Sequence, residues 1–403
     1  MTQSKTKQVM AQEATFGAHH YEPLPVVLSQ GQGVWVWDIE GNKYLDMMSA
    51  YSALSHGHCH PQIMAALEKQ MHKLSLTSRA FYTEPLGPLL EKLCQITGLD
   101  SALPMNTGAE AVETAIKAAR RWGYQLKHIP PNQAEIIVAH HNFHGRTTTL
   151  ISFSSDAAYQ QDFGPFTPGF KSVPFGDSEA IKQAITPNTC AILIEPIQGE
   201  AGIIIPKAGY LAEVSALARE HQVLFILDEI QSGLGRTGKW FAYQHEAGVQ
   251  PDGVIIGKAL GGGVYPISAF VAKKEIMDVF SPGSHGSTFG GNPLAGAIGL
   301  AALSALESEK MIENSAELGA YFLAELKQIK HPWIKAIRGK GLWIGLEVNT
   351  DLIAARAVCL KLLEVGLLTK EAHQSVIRFA PPLIIQKAEI DEALTKLRSV
   401  FIQ

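Results

Sequence analysis

The stretch GVIIGKALGGG, Gly253 to Gly263, sets Lys258 behind a β-branched run and ahead of small residues and glycines. Val254-Ile255-Ile256 reads as a buried strand. A lysine at the end of such a strand is partly stripped of water, and desolvation disfavours the ammonium form and lowers its pKa. A neutral amine is a nucleophile, and the chemistry that suits this setting is a Schiff base with a carbonyl compound. A lysine that snorkels out of a strand end would leave the same local pattern.

Other polar residues follow β-rich runs in the same way. Asp228 follows VLFIL, Glu195 follows AILI, and Phe143, Gly145 and Arg146 follow IIVAHHN. Several such residues at one sheet edge imply a site. A carboxylate after five apolar residues needs a cation. For Asp228 that cation is an arginine, or a helix N-terminus serves in its place, or it is the protonated nitrogen of a pyridine ring. Pyridoxal phosphate requires such a carboxylate, because its pyridinium is the electron sink for carbanion chemistry. Lys258 comes thirty residues after Asp228, about one strand-helix-strand unit. One ligand, an aldehyde on Lys258 with its ring nitrogen at Asp228, accounts for both.

A phosphate needs a cradle. Asn106-Thr107-Gly108 is a turn carrying a good N-cap residue, and a strongly helical segment follows, so the N–H groups of Gly108 and Ala109 would face an anion at the positive helix end. A plain helix start gives the same signal, and the segment is neither a Walker A loop nor a dinucleotide fingerprint. Phe143 could stack on a planar ring and Arg146 could grip a carboxylate, with core packing and a surface ion pair as the plainer readings. Ser287 and Thr288, in the glycine-rich HGSTFGGNPLA, are donors suited to phosphate or ordinary loop residues. His56, His58 and His60 alternate around Cys59 without a second ligand cluster at typical spacing, so no metal site is expected.

These residues need a scaffold. EIIVAH, AILIEP, VLFILDE, GVIIGK and PISAFVA alternate with helical segments such as GYLAEVSALAREH. That alternation argues an α/β fold with a largely parallel sheet covered on both faces. Near the N-terminus GVWVWDIEGNKYLDM signals a hairpin turning at Glu40-Gly41-Asn42. After about Glu307 come an amphipathic helix with Leu318, Phe322, Leu326 and Ile329 on one face, a strand in GKGLWIGLEV, and a final helix carrying Ile390, Leu394, Leu397 and Phe401. A large α/β domain over residues 51–307 is expected, with a smaller α+β unit built from residues 1–50 and 308–403.

The chain has 403 residues, 46% hydrophobic and 18% charged, with a formal charge of -4. Its pI is near 6.4, which supports neither nucleic-acid nor anionic-membrane binding. Cys59, Cys94, Cys190 and Cys359 lie far apart and suggest no disulfide framework. The first residues lack the marks of a secretory or transit segment, and the longest apolar tract, Ala295 to Leu306, is too short to span a bilayer. A soluble cytoplasmic protein is expected.

LFILDEIQSGLGRTGKW, GKALGGGVYPISA and HGSTFGGNPLA, in that order, resemble the class III aminotransferases, fold type I enzymes that use pyridoxal 5'-phosphate. The likeness runs over nearly the whole chain and is most specific for members acting on the δ-amino group of ornithine. The supporting stretches are SAYSALSHGHCHP, MNTGAEAVETAIKAAR, FHGRT, EPIQGEAGI and VIRFAPPL. The resemblance implies that Lys258 condenses with the cofactor and later shuttles the proton. It implies that Asp228 pairs with the pyridinium, Gln231 bonds the ring hydroxyl, Phe143 stacks on the ring, and Gly108 and Ala109 bind phosphate. Ser287 and Thr288 belong to the same cofactor set, with Thr288 reaching the phosphate of a neighbouring subunit, so a homodimer or higher homo-oligomer is implied. Tyr21 and Arg146 are implied to hold the ornithine α-carboxylate, with Tyr51 shaping the pocket. Arg378 would bind the α-carboxylate of the second substrate, 2-oxoglutarate, and Glu200 would cover Arg378 while L-ornithine is bound. The rival readings are another class III member taking acetylornithine, 4-aminobutyrate or lysine, a cofactor-free Schiff-base enzyme, and a non-enzymatic binding protein.

Overall fold

In a computed structural model the structure describes residues 4–401. Its centre is a seven-stranded sheet of β1 (Ser101–Met105), β2 (Glu135–Ala139), β3 (Phe170–Val173), β4 (Thr189–Ile194), β5 (Leu224–Asp228), β6 (Gly253–Ile256) and β7 (Ser268–Ala272). The spatial order is β1-β7-β6-β5-β4-β2-β3. Strands β2 to β6 pair in parallel, and β7 runs antiparallel to both β6 and β1.

The inner strands are apolar on both faces because both faces are covered. Ile137, Ile192, Phe225, Leu227, Val254 and Ile256 enter one core. Their chain neighbours Ile136, Val138, Leu193, Leu224, Ile226 and Ile255 enter the other. The split follows from the period of two along a strand. The second core is closed by the helix Gly108–Gln125, which buries Ala111, Val112, Ala115, Ile116 and Ala119 at helical spacing. Each large aliphatic side chain so buried contributes about 1.5–3 kcal/mol, and Ile226→Ala would cost about 2–5 kcal/mol by leaving a cavity.

The five strands read from the sequence lie where the apolar runs put them. β1 and β3 did not stand out, and both are edge strands, more exposed and carrying Pro104 in the one and Lys171-Ser172 in the other. A proline is tolerated at an edge because no ladder bond depends on its missing N–H. The expected strand in GKGLWIGLEV covers only Ile344–Val348; Gly341, at φ 57°, turns the chain before it. The helix Met311–Leu326 ends three residues short of Ile329.

The predicted hairpin is present, Trp35–Asp38 pairing with Lys43–Asp46. The C-terminal pair Leu367–Leu368 joins the same sheet in parallel beside Lys43–Asp46, tying the two chain ends together. A third sheet holds Ile334–Gly339, Ile344–Val348, Val376–Phe379 and Lys370–Ala372, all antiparallel. It places Arg378 opposite Gly345 and Lys370. Among the described residues no helix is long and apolar enough to cross a membrane.

Candidate active site

Asp228 ends β5 and pairs in register with Ile255 of β6, three residues before Lys258. The parallel pairing therefore delivers both side chains to the C-terminal edge of the sheet, where open α/β sheets bind ligands. Lys258 has φ 46°, a left-handed conformation costly for a residue with a Cβ. Both line one cavity of about 190 Å³, with Gly108, Ala109, Phe143 and Gln231 on its walls. Burial lowers the Lys258 pKa and Glu200 opposes it, with Arg378 adding to the depression. The ammonium is thus poorly solvated, as the sequence implied.

The helix N-terminus is built by a capping box. Thr107 Oγ1 accepts from Glu110 N at 3.3 Å, and Glu110 Oε2 accepts from Thr107 N at 2.8 Å and Asn106 N at 2.9 Å. Glu110 thereby folds back over Asn106 and Thr107, while Gly108 and Ala109 line the cavity at the positive end of an eighteen-residue helix. Asn106 Nδ2 donates to Ser287 Oγ at 3.0 Å, which brings the HGSTFGG loop to this corner. Thr288 is exposed and is not on the cavity wall of its own chain.

Two further side chains complete the Asp228 end. His144 Nδ1 lies 2.6 Å from Asp228 Oδ2, both residues being buried. Burial alone would depress His144, but Asp228 outweighs it and raises the His144 pKa. The buried side-chain partner of Asp228 within this chain is thus His144, not an arginine. Glu195 accepts from Phe143 N at 3.1 Å and Gly199 N at 3.2 Å, and burial pushes its pKa up to about 7. The EPIQGE turn approaches closely, since a Cβ on Gly199 would sit 1.7 Å from Gln231 Oε1. That buried oxygen has no hydrogen-bond partner among the described residues.

A second polar cluster stands beside the first. Arg378 Nη1 donates to Glu200 Oε1 at 2.6 Å, and Gln231 Nε2 donates to the same oxygen at 3.2 Å. Burial would raise the Glu200 pKa, but Arg378 prevails and lowers it. The Tyr51 ring lies 4.7 Å from the Arg378 guanidinium carbon. Arg146 sits 6.0 Å from the ring of Tyr21 and 5.9 Å from that of Phe143. It lies closest to Tyr159, at 4.5 Å, and donates to its hydroxyl at 3.3 Å, a contact the sequence did not signal. The histidines near Cys59 diverge. His56 Nε2 meets Ala302 O at 2.9 Å, His58 Nε2 meets Asp46 Oδ2 at 2.9 Å, and His60 Nε2 meets Glu309 Oε1 at 3.1 Å.

The cavity suits pyridoxal phosphate. A desolvated lysine stands for the aldehyde, a buried carboxylate for the ring nitrogen, a helix N-terminus for the phosphate, and the unpartnered Gln231 oxygen for a ring hydroxyl. Known proteins point the same way. The Aminotransferase class-III family matches residues 16–401. The ornithine aminotransferase of Brevibacillus brevis is 59% identical over 98% of this chain and 98% of its own. The Toxoplasma gondii ornithine aminotransferase, whose structure shows partial occupancy of PLP at the active site, superposes with TM-score 0.97. It is 45% identical, covering 99% of this chain and 94% of that one. The acetylornithine aminotransferase of Elizabethkingia anophelis gives TM-score 0.90 at 44% identity, over 99% and 100% of the two chains. With the family matched almost end to end and its chemistry legible in the cavity, this chain belongs to the class III aminotransferases, pyridoxal-phosphate enzymes of fold type I.

Proposed function

We propose that this enzyme transfers the δ-amino group of L-ornithine to 2-oxoglutarate, giving L-glutamate 5-semialdehyde, which cyclises, and L-glutamate. The observation that carries the reading is the masked cation beside the cavity, joined to its wall through Gln231: Arg378 held by Glu200 at 2.6 Å, with Tyr51 against its face. Ornithine presents a cationic amine where 2-oxoglutarate must present a carboxylate. One site serves both only if its positive charge is covered for the first substrate and exposed for the second.

Pyridoxal 5'-phosphate, when bound, supplies the electron sink for breaking the C–H bond beside the transferred nitrogen. The protein supplies the rest. Lys258 Nζ, its pKa lowered by burial, takes the proton from the δ-carbon of ornithine. Asp228, backed by His144, would pair with the ring nitrogen. Gln231 would hold the ring hydroxyl, Phe143 would cover the ring, and the Gly108 and Ala109 N–H groups would receive the phosphate. Arg146 and Tyr21 hold the α-carboxylate of ornithine at the far end, so that the δ-amine rather than the α-amine reaches Lys258. The exposed Thr288, on the loop anchored through Ser287, serves the phosphate of a second subunit in a homodimer. Residues 51–307 form the cofactor-binding domain, flanked by a smaller unit from residues 1–50 and 308–403, a division supported by the pairing of Leu367–Leu368 with Lys43–Asp46.

The test is to mix pure holoenzyme with ornithine and 2-oxoglutarate and assay semialdehyde. The likeness to an acetylornithine aminotransferase favours one second reading, with acetylornithine as donor. Faster turnover of acetylornithine than ornithine in a donor panel would establish that alternative.

A further inference from the structure

Four consecutive residues, Ser49, Ala50, Tyr51 and Ser52, hold φ angles of 46°, 46°, 59° and 73°. Left-handed residues normally occur singly, because the Cβ of an L-residue crowds the following carbonyl. SAYS contains neither glycine nor asparagine, the residues that adopt this conformation at low cost. A run of four is strained backbone, and strain persists only where the surroundings over-determine it.

The surroundings do so from both sides. Ahead of the turn, Asp46 Oδ1 accepts from Met48 N and Ser49 N, both at 2.9 Å. Its other oxygen lies 2.9 Å from His58 Nε2. His58 is itself fixed: its N–H donates to Gly33 O at 2.7 Å and its carbonyl accepts from Gly33 N at 2.9 Å. Its ring lies against Gly31, where a Cβ would stand 2.6 Å from Nδ1. Behind the turn, Ser55 Oγ donates to Ser52 O at 3.0 Å and accepts from Arg236 Nη2 at 2.9 Å. Arg236 is fully buried, and its Nη1 donates to Leu342 O at 2.9 Å and Pro381 O at 2.7 Å. Neither Asp46 nor Arg236 lines the cavity. What the turn delivers to the site is Tyr51, its ring 4.7 Å from the Arg378 guanidinium carbon.

We infer that the left-handed Ser49–Ser52 turn is a strained positioning device that aims Tyr51 at Arg378, with Asp46, His58, Ser55 and Arg236 as the positioning residues that hold it. The device sets how the carboxylate-binding guanidinium is presented, an inference that rests on reading Arg378 as the 2-oxoglutarate site. Handedness decides the outcome, because a right-handed turn would carry the Cα–Cβ bond of Tyr51 in another direction.

Ala50 is exposed, so Ala50→Gly relieves left-handed strain while removing only a solvent-facing methyl. Ala320, exposed on the helix Met311–Leu326, is the control, since glycine there weakens a right-handed helix. In thermal unfolding of the holoenzyme, Ala320→Gly should lower Tm by about 1–2 °C while Ala50→Gly matches or exceeds wild type. His58→Phe keeps a ring of similar size and removes the Nε2 brace. It should raise KM for 2-oxoglutarate at least about tenfold with kcat changed less than about twofold, and with the bound-cofactor absorbance unaltered. Ser55→Ala, which removes the hydroxyl between Ser52 O and Arg236, should share that KM rise, so it decides the point if His58→Phe does not fold. Equal Tm losses in the two glycine variants, or an unchanged KM, overturn the inference. Failure of the wild type to use ornithine would overturn the functional reading instead, and the Tm comparison would still settle the strain.

Discussion

Removing Glu200 asks whether the pair with Arg378 is a switch or a strut. The two groups are 2.6 Å apart, and the Arg378 side chain is 5% exposed, so the hydrogen bond is charge-assisted and poorly screened. Such a bond contributes about 1.5–3 kcal/mol. Binding the 2-oxoglutarate carboxylate to Arg378 requires that bond to open, and Glu200→Ala abolishes the cost. At 1.4 kcal/mol per factor of ten, KM for 2-oxoglutarate should fall about ten- to a hundredfold. Ornithine should suffer the reverse, because its cationic amine now meets a bare guanidinium. Two like charges about 4 Å apart near a protein surface repel by about 4 kcal/mol, so even after solvent screening kcat/KM for ornithine should drop at least about tenfold. The two half-reactions, followed separately by cofactor absorbance, isolate each substrate. The variant should also unfold more easily, since it leaves a buried cation unpaired. A strut would show only that loss. If stability falls while the ratio of the two specificities stays at the wild-type value, the switch is refuted.

Lys258→Ala should abolish turnover while the cofactor remains bound without a covalent bond, and substantial retained activity in a donor assay would contradict the role given to Nζ. Phe143→Ala should weaken cofactor binding about three- to tenfold from the lost stacking, as read by equilibrium dialysis, and unchanged affinity would count against a ring over Phe143. Glu195 gives a pH dependence with a definite sign. Its folded pKa is raised from 4.5 to about 7, so its protonation favours the fold at low pH and that contribution fades as pH climbs through about 7. Glu195→Gln should therefore gain stability relative to wild type across that window in denaturant titrations, and parallel pH profiles would exclude buried ionisation at this position.

Much of the central sheet was readable because strands buried on both faces are written as unbroken apolar runs, and a polar residue ending such a run, Asp228 or Lys258, marks the sheet edge. Edge strands β1 and β3 obey a weaker rule, since half-exposed positions accept Pro104 and Lys171 alike. The pairing of Asp228 with His144 was not readable, because the partners are 84 residues apart and meet only when β2 and β5 lie in one sheet. Tyr159 escaped for a similar reason, its loop carrying no periodic signal before folding over Arg146. Nor does SAYS announce a left-handed turn: that conformation is imposed by Asp46, His58 and Arg236, whose contacts arise from tertiary packing.

The orientation of the donor is the centre of this account, and isotopic nitrogen reads it directly. Ornithine carrying ¹⁵N only at the δ-position, incubated with holoenzyme and unlabelled 2-oxoglutarate, should pass its label quantitatively into glutamate, while ornithine labelled at the α-position should pass none. Label arriving in glutamate from the α-nitrogen would show that Arg146 and Tyr21 do not hold that end of the substrate away from Lys258, and the assignment of the cavity would be wrong.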